Sequence, residues 1–201
     1  MTTFSTRSGR GQLYLAVPGV VLAGLLLWAL VRVVQPRPPA FEPFIIEELP
    51  AAASPVDKPV KSVAERKRDI TQYLASKYKV SKDETTQYVN LAWRESARHP
   101  GVEPELILAV IQKESSLRRK VVSGYGAEGL MQVVRREHPE KLGSKESLFD
   151  PHVNIRVGAQ ILEQYIKATN GDEEPALVRY SGNAKGYADF VMREKKVLQD
   201  I

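Results

Sequence analysis

Along the chain the apolar positions change their rhythm three times. Residues 11–31 read GQLYLAVPGVVLAGLLLWALV and carry no charge. At 1.5 Å per residue a helix of that length reaches about 31 Å, close to the hydrocarbon thickness of a bilayer. The segment is apolar on every side, which suits lipid better than a half-exposed helix. Tyr14 and Trp28 lie near its ends, where amphipathic rings favour the interface. Residues 1–10, 11–34 and 35–61 are therefore expected to be a cytoplasmic N-terminus, a single transmembrane anchor and a linker. A cleaved signal peptide is the rival. The basic start fits one, but no small-x-small site follows promptly between Arg32 and Pro39.

Seven of the thirteen prolines then fall in the linker: Pro36, Pro38, Pro39, Pro43, Pro50, Pro55 and Pro59. Such a stretch resists helix and favours a semi-extended tether. From Ser62 to the end the spacing turns helical. Ile70, Tyr73, Leu74 and Tyr78 recur at three- and four-residue steps. Ser81 and Glu84 form a capping-box pair ahead of a helix that aligns Tyr88, Val89, Ala92 and Trp93, and His99-Pro100-Gly101 ends it. A helix is predicted over 104–116, with Pro104 suited to its first turn. A loop with a short helix is predicted near 126–136, with a small β element possible in the loop after Glu114. Asp150-Pro151 opens a further helix, and two shorter ones follow near 174–180 and 186–198. Residues 62–201 thus read as one mostly α domain.

Composition removes several function classes. There is no cysteine, so disulfides, thiolate metal sites and a lipid-modified Cys are excluded. His99, His138 and His152 have no ligand spacing, and neither a metal nor a cofactor is expected. The net charge is +5, of which Arg7, Arg10 and Arg32 supply three in the first 34 residues. The remaining +2 leaves residues 35–201 nearly balanced, without the basic face a nucleic-acid binder needs.

The candidate chemistry sits at the end of the helix over 104–116. Glu114 follows Ile107, Val110 and Ile111 by seven, four and three residues, so the carboxyl rides on their apolar stripe while Gln112 and Lys113 turn elsewhere. A carboxyl withdrawn from water holds its proton more tightly, as a general acid must near neutrality. Spacing alone leaves an ordinary helix-end ion pair open.

Four motifs in order extend this reading. They are Glu114-Ser115, Gly129-Leu130-Met131-Gln132, Phe149-Asp150-Pro151 with Asn154-Ile155 and Gly158, and Ala176 to Tyr180. Together they resemble the lytic transglycosylases of the SLT (soluble lytic transglycosylase) type, over roughly residues 63–198. The resemblance implies a lysozyme-like fold and cleavage of the MurNAc–GlcNAc bond of peptidoglycan with 1,6-anhydro products. Glu114 would be the catalytic acid and then base. Ser115 and Gln132 would hydrogen-bond the sugar, Met131 would line the cleft, and Tyr180 would reach the carboxyl. Peptidoglycan strands and the inner membrane are the implied partners, with the domain in the periplasm. The chain departs from the pattern at Arg135, where the family usually has Pro, and at Ser181, where it usually has Asn. A lysozyme-type hydrolase, which needs a second acid, and a non-catalytic wall-binding scaffold remain as alternatives. Glu128, directly before the Gly129–Gln132 motif, is the acid weighed for that second role and is expected to point to solvent, and Asn154 is expected to be a helix cap.

Overall fold

A computed structural model describes residues 61–201. The anchor and most of the linker expected from the sequence lie outside the described residues. Among the described residues no helix is long and apolar enough to cross a membrane.

Six helices and one small hairpin make up this part. They are α1 Val63–Tyr78, α2 Lys82–Ser96, α3 Pro104–Ser115, β1 Ala127–Glu128, β2 Val133–Val134, α4 Pro151–Ala168, α5 Glu173–Tyr180 and α6 Tyr187–Gln199. Their boundaries follow from local chemistry. Ser62 and Glu65 form a complete capping box at α1: Glu65 N donates to Ser62 Oγ at 3.2 Å and Ser62 N to Glu65 Oε2 at 2.9 Å. At α2 the Ser81 hydroxyl accepts from Glu84 N at 3.2 Å. Asp150 accepts from His152 N at 2.8 Å to start α4, and Asp172 from Glu174 N at 3.2 Å to start α5. Ser116 and Leu117 take left-handed φ values of 51° and 64°, which stop α3 one turn after its last core residue.

The helix α3 is the axis of the domain. It packs against α2, α4 and α6, and every residue from Glu105 to Gln112 is buried. This changes the one-stripe reading of its sequence. Gln112, expected on a different face, is also inside, where its Oε1 accepts from Lys77 Nζ at 3.2 Å and Tyr78 OH at 3.1 Å. The β-branched residues Ile107, Val110 and Ile111 cost a helix a few tenths of a kcal/mol each. Their burial returns about 1.5–3 kcal/mol apiece, so packing decides the conformation. Leu130, Met131, Leu148 and Ile155 continue the same core beneath the hairpin.

Between α3 and α4 the chain makes the loop that the motifs occupy. The strands β1 and β2 pair antiparallel, Ala127 with Val134 and Glu128 with Val133, and two short 3-10 turns cover Arg135–Glu137 and Pro139–Lys141. The β element expected there is thus two residues per strand, and the short helix is of the tighter kind.

Candidate active site

Glu114 lies in the last turn of α3, half-buried. Removal from water pushes its carboxyl above the usual carboxylate range, against the smaller lowering effects of a hydrogen bond from Tyr187 and the charge of Lys113. The end of a helix carries partial negative charge, which further disfavours an anion there. Tyr187 OH donates to Glu114 Oε1 at 2.6 Å. That tyrosine is the first residue of α6 and is itself buried, and burial together with the nearby Glu114 charge holds its phenol protonated.

The carboxyl opens into a cleft of ≈ 570 Å³. Ser123, Tyr125 and Gln132 from the loop before and within the hairpin line it, as do Tyr180 and Ser181 at the end of α5. Glu137 also lines it and is engaged by Tyr125 OH, which donates to Glu137 Oε1 at 2.7 Å. Glu128, by contrast, sits half-buried in β1 and does not line the cleft. Among the described residues no group of three His, Cys, Asp or Glu side chains is placed to hold a metal.

The other residues singled out from the sequence fall in different places. Gln132 faces the cleft, with φ of 48°, and its amide nitrogen donates to Gly129 O at 3.0 Å and Val121 O at 3.2 Å. Tyr180 lines the cleft, but its hydroxyl donates to Met131 O at 2.9 Å and not to Glu114. The phenol that meets the carboxyl is Tyr187, seven residues further on. Ser115 is buried, and its hydroxyl turns back to Ile111 O at 3.1 Å, so it does not project into the cleft. Met131 is fully buried beneath the cleft and packs against Gly158, where a Cβ would collide with its sulfur.

Asn154, expected as a helix cap, instead lies inside α4 as a fully buried clamp. Its Oδ1 accepts from Met131 N at 2.7 Å, and its Nδ2 donates to Glu128 O and Leu148 O, both at 2.8 Å. Gly129 has φ of +78°, and a side chain there would strike the Asn154 amide and Leu148 O. Close backbone approach and a left-handed turn both demand glycine. The Gly-Leu-Met-Gln run is therefore chiefly a scaffold that fixes Gln132 at the cleft. At the two departures, Arg135 Nη2 donates to Glu146 O at 2.8 Å. The Ser181 hydroxyl donates to Val178 O at 2.9 Å and accepts from Ala184 N at 3.2 Å.

A half-buried carboxyl at a helix end, a phenol on it and a polar cleft beside it can together present a proton to a bound polar group. The transglycosylase SLT domain profile matches residues 91–195, more than half of the chain, and the chain belongs to that family. Its mostly helical domain is of the lysozyme-like kind. Among similar proteins is the membrane-bound lytic murein transglycosylase C of Salmonella arizonae, 35% identical over an alignment 105 positions long that covers 47% of this chain and 29% of that protein. The protein of the same name from Yersinia enterocolitica is 45% identical over an alignment 78 positions long that covers 34% of this chain and 22% of that protein. The one from Klebsiella pneumoniae is 41% identical over 78 residues, with the same coverage. The chain spans less than a third of the length of the curated relatives it matches.

Proposed function

We propose that the chain is a peptidoglycan lytic transglycosylase, cleaving the β-1,4 bond between MurNAc and GlcNAc and leaving 1,6-anhydro-MurNAc ends. The observation that carries this reading is the half-buried Glu114 carboxyl, held above its ordinary pKa at the cleft. Protonated Glu114 gives its proton to the glycosidic oxygen. The substrate's own N-acetyl group stabilises the anomeric carbon, which removes the need for a protein nucleophile. Ionised Glu114 then takes the proton from the muramoyl C6 hydroxyl as that oxygen attacks C1, so water is not consumed. Attack from the same sugar supplies proximity, and the entropy saved is worth several kcal/mol. Tyr187 stabilises the ionised carboxylate between the two proton transfers. Gln132, on its fixed loop, is the candidate contact to the sugar. Family membership and the relatives named lytic murein transglycosylase support the same chemistry.

Mass spectrometry of digested wall tests the proposal. Anhydro ends that vanish in Glu114→Gln are the expected result. Reducing ends would favour a lysozyme-type hydrolase instead, with Glu137 as the acid to examine, since it lines the same cleft. No cleavage by either protein would favour a wall-binding scaffold.

For location the reading is a single-pass protein of the inner membrane, anchored by residues 11–34 with the domain in the periplasm. The apolar run and the relatives' membrane-bound name support it. Fractionation of cells, with protease access to the domain from the periplasmic side, tests it.

A further inference from the structure

Tyr125 is the large aromatic most exposed at the cleft, with 62% of its surface in water. An aromatic side chain left in solvent is ordinarily free to change rotamer. Two contacts hold this ring, and a third anchors the guanidinium that covers it. The guanidinium of Arg136 lies over one face of the ring, 4.0 Å from its centre. Arg136 Nη1 also donates to Tyr125 O at 2.8 Å, and the Tyr125 hydroxyl donates to Glu137 Oε1 at 2.7 Å. Gly126, at φ +86°, has no side chain to crowd Arg136 Nη1, which would lie 3.4 Å from a Cβ there. These contacts bury little surface, and exposed ion and hydrogen-bond contacts each contribute at most about 1 kcal/mol. What they accomplish is orientation.

We infer that Tyr125 is a preorganised sugar-stacking platform, a specificity-determining residue for glycan strands, with Arg136 and Glu137 as its positioning residues. The inference rests on the glycan reading above. β-1,4-linked 2-acetamido sugars carry their bulky groups equatorially, so each ring presents a flat patch of axial C–H groups. That patch matches the size and polarity of an aromatic face. A ring already fixed loses no rotamer freedom when sugar arrives, which is how preorganisation raises affinity. The contact also gives Glu137 a role outside proton transfer: its carboxylate holds the platform's hydroxyl.

The test separates binding from cleavage. In the 201-residue chain carrying Glu114→Gln, a soluble GlcNAc–MurNAc tetrasaccharide is titrated by calorimetry. Adding Tyr125→Ala is expected to weaken binding by about tenfold, equivalent to one lost stacking contact. Adding Tyr125→Phe keeps the ring and is expected to stay within about threefold of the parent, and Arg136→Ala is expected to fall between the two. In the chain with Glu114 intact, Tyr125→Ala is expected to raise KM and leave kcat close to its starting value. Unchanged affinity in Tyr125→Ala overturns the platform while the proposed reaction stands. No binding by the Glu114→Gln parent, with circular dichroism showing it folded, overturns the glycan reading and the platform with it.

Discussion

A carboxyl that must meet a glycosidic oxygen with its proton still attached has to be kept neutral by its surroundings. At Glu114 burial acts in that direction, and Tyr187 works against it by donating to the ionised form. On the proposed mechanism the opposition has a purpose, because the same carboxylate has to survive as an anion long enough to act as a base. Tyr187→Phe removes the donor and leaves the burial, so the Glu114 pKa rises further. A general acid loses activity as pH climbs through its pKa, so the alkaline limb of the pH–kcat/KM profile moves to higher pH in Tyr187→Phe. The maximal rate falls about tenfold or more, in the range usual for one hydrogen bond to a catalytic charge. An unmoved limb would remove Tyr187 from the protonation of Glu114. The place of the Glu114 carboxyl beside Ile107, Val110 and Ile111 was legible in the chain from helix spacing, while its proposed role as acid came from the Glu-Ser resemblance. Its partner was not. Tyr187 sits on the buried face of α6 with Val191 and Leu198, where a tyrosine looks like any core residue until α6 is docked beside α3.

The loop between α3 and α4 illustrates the same limit for an element. Its glycines and its departure from helical rhythm announced a turn. The hairpin pairs only two residues on each strand, too few for alternation to be seen. What shapes the loop is a side chain more than twenty residues downstream. Asn154 closes three hydrogen bonds to the loop's backbone in a fully buried position, and nothing local to Asn154 marks it as more than a polar residue near a helix start. Asn154→Ala leaves one buried N–H and two buried carbonyls without that partner. Unsatisfied groups of this kind cost about 1–3 kcal/mol each, offset in part by entering water, so a loss of about 3 kcal/mol is expected in urea unfolding. Activity should fall further than stability explains, since Gln132 loses its fixed loop. A variant within about 0.5 kcal/mol of the parent would show that the clamp is replaceable by solvent. The placement of Ser115 has a related cause. At the end of α3 its hydroxyl finds the Ile111 carbonyl, an intrahelical bond open to any serine on a helix, so the letter after the acid reports helix packing.

At the scale of the molecule, the helical boundaries were readable from caps and periodicity, while the layering was not. Composition alone cannot say that α3 is enclosed by α2, α4 and α6 and not simply laid on one of them. The described residues share one core, running from Ile70 in α1 to Leu198 in α6. Lys195 adds a tie across the assembly, reaching Glu173 at 2.7 Å and Glu103 at 3.2 Å and so joining α6 to the starts of α5 and α3. Residues 61–201 expressed alone are expected to unfold in one cooperative step and to cut isolated wall at a rate within about threefold of the full chain. Two separate transitions in calorimetry would contradict a single core. That same enclosure distributes stiffness unevenly around the cleft. The amides of the fully buried Ile107 to Ile111 are expected to exchange with solvent only when the whole domain opens, which would mount the carboxyl of Glu114 on the last backbone to let go. Tyr125, outside that core, is kept in place by its surface contacts with Arg136 and Glu137. On the proposed reading, a long, stiff polymer entering the cleft meets one wall set by the core and another set by a few polar contacts that single substitutions can remove.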